Sequence, residues 1–122
     1  DSLLQCTGLV DLRGQTSLMQ LAGACRQAKA VISVDAGPLH IAAAVGTPTY
    51  AIVGNDDDGV GASPVRLWMP RCSNVTRSIS SASCSVCADN RFRNDGCLVD
   101  NHPCMAAIQP SVVIDWMKDQ LG

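Results

Sequence analysis

Aromatic residues are scarce, with two Trp, one Tyr and one Phe making up 3% of the chain. Tyr50, Trp68, Phe92 and Trp116 cannot build a base-stacking platform of any length. Charge is sparse too, at 16%, and nearly balanced: 9 basic against 11 acidic residues, for a formal net charge of −2. A nucleic-acid footprint wants a basic patch or stripe, so that class of partner is excluded. No apolar run approaches the roughly 18 residues that a membrane-spanning helix needs. There is no GxGxxG and no GxxxxGK[ST], so neither standard phosphate-binding fingerprint applies. Histidine occurs only at His40 and His102, and no Ser/His/Asp set has a usable order. The opening Asp1-Ser2-Leu3-Leu4 has no Met and no basic stretch before an apolar core. It is not read as a signal peptide; the expectation is a piece of a longer protein, or a naturally small one.

What is present suits one globular domain over residues 1–122. The chain has 122 residues, 47% of them apolar, which is enough for one real core. Seven cysteines are more than ordinary usage brings, and an odd total fits poorly with a fully oxidised secreted domain. The expected compartment is the reducing cytoplasm.

The first half is regular. Thr16 and Ser17 are good helix caps. After them Leu18, Met19, Leu21, Ala22, Cys25 and Ala28 recur at helical spacing as one apolar stripe, with Arg26 and Lys29 in the last turn. A helix is expected at 17–28. Ala30 to Val34 is short, β-branched and apolar, as a strand buried on both faces would be. Pro38 suits the first turn of a helix over Leu39 to Val45, which Gly46 stops and Pro48 follows. Alanines 42, 43 and 44 let that helix lie close on a sheet. Thr49 to Val53 reads as a second buried strand, ending at Gly54. Two strands joined by a helix spell a parallel βαβ unit. Residues 55–110 show little periodicity beyond a strand over Asn74–Ile79, and 80–110 is expected to be an irregular, cysteine-rich segment. Pro110 or Ser111 opens a last helix, with Val112, Val113, Trp116 and Leu121 as its inner face.

The strand-to-helix turn Asp35-Ala36-Gly37-Pro38-Leu39-His40 carries the most information. In an open parallel sheet, ligands bind beyond the carboxyl ends of the strands. Gly37 lets a ligand approach the backbone. The N–H groups and dipole of the following helix suit a phosphate or diphosphate, and His40 can donate a hydrogen bond to it. Asp35 would repel phosphate, so its role is to orient backbone N–H groups or a sugar hydroxyl. The plainer alternative makes Asp35 a helix cap and His40 a satisfied, half-buried histidine.

Leu12-x-Gly14-x-Thr16-Ser17-Leu18, then Ser33-Val34-Asp35-Ala36-Gly37-Pro38-Leu39-His40-Ile41-Ala42-Ala43-Ala44-x-Gly46-x-Pro48, resembles the C-terminal half of glycosyltransferase family 9. These are the ADP-heptose:lipopolysaccharide heptosyltransferases. Cys84-x-x-Cys87, Cys97 and Cys104-Met105-x-x-Ile108-x-Pro110-x-Val112 look like the cysteine-bearing end of many members. The resemblance implies a Rossmann-like α/β domain, one half of a GT-B enzyme whose two such domains face a cleft. It implies that Asp35, Ala36, Gly37, Pro38, Leu39, His40 and Gly54 hold the nucleotide-sugar donor. The acceptor site and catalytic carboxylate belong to an N-terminal domain, so no catalytic residue is expected here apart from His40 as a stabiliser of the leaving group. Two departures stand out. Ala36 replaces a common Thr, and the loop after the second strand reads Gly54-Asn55-Asp56-Asp57-Asp58-Gly59. A Mg²⁺ bridging those carboxylates and a diphosphate is one reading; a solvated acidic turn pointing away is preferred.

Cys84-x-x-Cys87 is half of a metal site by spacing, whereas Cys97-x6-Cys104 is not a second such half. A structural zinc or iron ion on Cys84, Cys87, Cys97 and Cys104, with His102 able to replace one of them, disulfides, and free thiols all stay open; each makes the cluster structural. No cofactor is required for the chemistry. Asn74-Val75-Thr76 is a glycosylation sequon only in a secreted chain. Arg91 and Arg93 are read as surface residues.

The expected function is the donor-binding half of a sugar transferase. The donor is a nucleotide-diphosphate sugar, ADP-heptose or a related one. The acceptor is lipopolysaccharide core or another glycan, with peripheral membrane association through the full-length enzyme at the inner face of the inner membrane. The competing readings are a non-catalytic phosphate-binding or metal-stapled interaction module, and a GT-B enzyme using another nucleotide sugar.

Overall fold

The structure is a computed structural model and describes residues 5–54, 68–78 and 103–122. It begins with a locally bonded turn. The Arg13 guanidinium donates to the Asp11 carboxylate at 2.9 Å, and the Gln15 N–H donates to the Leu12 carbonyl at 3.1 Å. Gly14 takes a φ of 68°, a left-handed conformation that side chains resist. The turn leads into helix α1, Leu18–Gln27. Ser17 caps it through a capping box: its Oγ accepts from the Gln20 N–H, and its own N–H donates to Gln20 Oε1 at 2.8 Å.

The expected apolar stripe on α1 is only partly buried. Cys25 is buried, but Leu18 and Met19 are 70% and 80% exposed. The reason is positional: α1 packs chiefly on the next helix rather than on the sheet, so a narrow contact suffices.

Strand β1, Val31–Val34, is followed by helix α2, Gly37–Ala44, and strand β2, Thr49–Ile52. Strand β3, Val75–Arg77, lies on the far side of β2. All pairings are parallel, with Val31 opposite Thr49 and Thr49 opposite Val75. This is the expected α/β architecture with a Rossmann-like parallel sheet, seen here as three strands in the order β1-β2-β3.

α2 starts two residues earlier than its periodicity suggests and ends in a Schellman motif. Gly46 takes a φ of 83°. Its N–H donates to the Ala43 carbonyl at 3.2 Å, and the Thr47 N–H donates to the Ala42 carbonyl at 3.3 Å. Ala42 and Ala43 are buried against the sheet, as expected, whereas Ala44 faces out. Leu39, Ala51, Val53 and Met69 form the core on this face, with Trp68 and Val75 packed against it.

β2 is buried on both faces, as a central parallel strand should be. β1 is not, contrary to expectation. Ile32 and Val34 are 43% and 53% exposed, because β1 is an edge strand and the helix covering that face sits over β2. That helix is α4, Pro110–Leu121, preceded by the short helix α3, Pro103–Ala106. α3 lies within the 80–110 segment expected to be irregular, and the part of that segment up to residue 102 lies outside the described residues. On α4, Val113 is buried and Trp116 packs on Tyr50 with ring centroids 5.3 Å apart. Val112 and Leu121 point outward instead of joining the inner face. At 100° per residue, Val113, Trp116, Met117 and Gln120 share the stripe, and all are buried or half-buried.

Polar side chains tie the elements at both ends of the sheet. Buried Thr47 donates its hydroxyl to the Cys25 carbonyl at 2.7 Å, joining the end of α1 to the turn before β2. The Asn74 amide donates to the carbonyls of Thr47 at 2.9 Å and Ala43 at 3.3 Å. At the opposite end, Ser78 Oγ accepts from the Val53 N–H at 2.9 Å. Among the described residues, no helix is long and apolar enough to cross a membrane.

Candidate functional site

Because the strands are parallel, their carboxyl ends share one edge, with Asp35, Gly54 and Ser78 just beyond β1, β2 and β3. The turn after β1 opens α2 there. Ala36 is the helix N-cap, in extended conformation and with no side chain able to cap. Asp35 does not substitute for it. Among the described residues its carboxylate makes no hydrogen bond, so the plain capping role is not what the structure shows. Partial burial raises the Asp35 pKa above its ordinary range, and the charge of nearby His40 pulls it back in part. Asp35 and His40 thus feel one another across the turn.

Gly37 is the first residue of α2, and among the described residues a β-carbon there would meet nothing within 4 Å. Pro38 has no N–H to offer. The Leu39 N–H already donates to the Ala36 carbonyl at 3.0 Å, and its side chain is fully buried in the core. Leu39 can therefore serve a ligand only by holding the backbone in place. His40, one residue on, is exposed and packs edge-to-face on Trp68, with ring centroids 6.4 Å apart and planes at 66°. It makes no hydrogen bond among the described residues. Among the described residues the turn therefore leaves the N-terminus of α2 uncovered, flanked by an unpartnered carboxylate and an imidazole. That arrangement can take a phosphate on the helix and a hydroxyl on the carboxylate.

Gly54 has a different neighbourhood. An ideal β-carbon there would lie 2.7 Å from Met105 Sδ and 3.1 Å from Cys104 Sγ. The close approach comes from α3 of the chain itself, which gives this glycine a packing reason. On the opposite face of the sheet, Ile52, Met105, Ile108, Pro110, Val113 and Ile114 line an apolar groove. It carries no group that would recognise a phosphate.

Over residues 2–96 the chain matches the sequence model of glycosyltransferase family 9 (heptosyltransferase). The chain belongs to that family. The matched stretch contains the whole strand–turn–helix site and ends short of Cys97, Cys104 and the last two helices. No curated protein and no solved structure matches the chain.

Within this glycosyltransferase, several residues singled out by sequence lie outside the described ones: Asp56, Asp57, Asp58, Cys84, Cys87, Arg91, Arg93, Cys97 and His102. Cys104 is half-buried on α3 beneath Gly54. Among the described residues, no three His, Cys, Asp or Glu side chains cluster closely enough to hold a metal ion. Sequence reasoning missed Trp68, which it counted only as one of few aromatics. Nothing local marks it, because its relation to His40 exists only once β2 and α2 are packed.

Proposed function

We propose that this chain is the donor-binding half of a glycosyltransferase that moves heptose, or a related sugar, from a nucleoside diphosphate to lipopolysaccharide core or another glycan. ADP-heptose is the proposed donor. The reading rests on family membership and on one structural observation: among the described residues, nothing covers Gly37 between Asp35 and His40.

Glycosyl transfer leaves negative charge on the departing diphosphate. Its stabilisation needs dipoles and donors already aimed at that charge. The N-terminus of α2 supplies a positive dipole end and the Gly37 N–H. His40 adds an imidazole that donates to a phosphate oxygen. Asp35 repels phosphate but accepts from hydroxyls, so it is assigned to a sugar hydroxyl of the donor. The group that activates the acceptor is assigned to a second domain facing this one across a cleft, in the GT-B manner. The chain alone is then expected to bind donor without turning it over. No cofactor is invoked. The reaction is placed in the cytoplasm, at the inner face of the membrane that carries the lipid-linked acceptor.

The test is thermal unfolding of the chain with ADP, UDP and GDP in turn. A ligand at about 100 times its Kd stabilises by roughly 2.7 kcal/mol. A shift with ADP alone supports the reading. A shift with UDP or GDP instead points to a transferase of another nucleotide sugar. No shift in a folded sample removes the nucleotide site from this chain.

A further inference from the structure

His40 is exposed and unbonded among the described residues, so no hydrogen bond holds its ring. Its backbone is well anchored, because the preceding Leu39 is fully buried. Its side chain touches Trp68, edge to face. Trp68 is itself seated against the cluster of Leu39, Ala51, Val53 and Met69. One ring is fixed by the core, and the other leans on it.

The seat of Trp68 is costly. Its indole N–H is buried and has no hydrogen-bond partner among the described residues. Buried donors are almost always paired, and an orphan calls for a reason. A group that must meet developing charge works best when held in place beforehand.

We propose that Trp68 is a positioning residue: its ring holds the His40 imidazole in the orientation that meets the donor's diphosphate. This rests on the assignment of His40 to that diphosphate. Trp68 need not touch the ligand.

The experiment is a double-mutant cycle on the full chain. ADP binding is measured by calorimetry for wild type, His40→Ala, Trp68→Leu and the double variant, with Trp68→Phe as the conservative control. Proton NMR of the histidine rings gives an independent readout, since the Trp68 ring current displaces the His40 signals that His40→Ala identifies. The expected result is about tenfold weaker binding in each single variant and no further loss in the double, because both remove one interaction. Trp68→Leu should move the His40 signals, and Trp68→Phe should keep most of the binding.

If His40→Ala weakens binding and Trp68→Leu does not, the positioning role is overturned and the site assignment survives. Fully additive losses overturn it as well, since they make Trp68 a general support of the fold. A Phe variant as weak as the Leu variant overturns it in favour of the indole N–H. Wild type that binds no ADP, UDP or GDP overturns the site assignment and this inference together.

Discussion

Met105 Sδ stands 2.7 Å from the point where a β-carbon on Gly54 would sit. The end of the central strand and the short helix α3 are thus in contact, and a methyl group there would have to displace the Met105 side chain. Met105 is a flexible side chain, 41% exposed, that can swing aside, so Gly54→Ala should destabilise the chain by at most about 1 kcal/mol, the low end for overpacking. Removing the opposing sulfur should return part of that loss. A Gly54→Ala/Met105→Ala double variant that melts no higher than the sum of the single losses predicts would show that the two sites do not meet.

Gly37 behaves in the opposite way. Among the described residues its β-carbon position is open and it begins a helix, so Gly37→Ala should leave stability unchanged or raise it by about 0.5–1 kcal/mol. The same methyl group would stand where the diphosphate is assigned. Melting temperature and ADP affinity should therefore part company, the first holding and the second falling. Unchanged affinity would move the phosphate away from this turn.

Thr47 should matter more than its position in a turn suggests. Its hydroxyl reaches the Cys25 carbonyl at 2.7 Å in a buried place. Thr47→Val keeps the shape and leaves that carbonyl without its donor, a loss of about 1–3 kcal/mol. Urea unfolding monitored at Trp116, beside Tyr50, would read it.

Asp35 gives a dependence on pH. Partial burial raises its pKa above the ordinary 3.8, outweighing the opposing pull of His40. The folded chain then binds the proton more tightly than the unfolded one. Stability is lost as pH rises from 3.8 through the folded value. Asp35→Asn should raise the melting temperature near neutrality, with the gain vanishing below the ordinary carboxylate range. An equal gain at every pH would mean that charge is not the cause.

Much of the fold is legible because local chemistry and tertiary structure agree. Thr16 and Ser17 mark the start of α1, Gly46 and Pro48 mark the end of α2, and the run Thr49–Val53 is apolar enough to be central. What was misread depends on neighbours. Val31–Val34 has the composition of a doubly buried strand, but composition does not say that β1 lies at the edge. Leu18 and Met19 have helical spacing, but spacing does not say how narrow the contact with α2 is. The turn Asp35–His40 was visible because its residues are consecutive. Trp68 was not, since 28 positions separate it from His40 and packing alone unites them.

The amide of Asn74 bears on how this protein is best produced. Its two hydrogen bonds to Thr47 and Ala43 clamp the turn between α2 and β2 to the start of β3. In a yeast or mammalian secretion host, Asn74-Val75-Thr76 would be offered to the oligosaccharide-transferring machinery as the chain emerges, before folding hides it. A sugar tree on that nitrogen would wedge the clamp open. The glycosylated chain should misfold and be retained before secretion, whereas a host that does not glycosylate, or an Asn74→Asp chain kept for comparison, would separate damage by the glycan from loss of the amide.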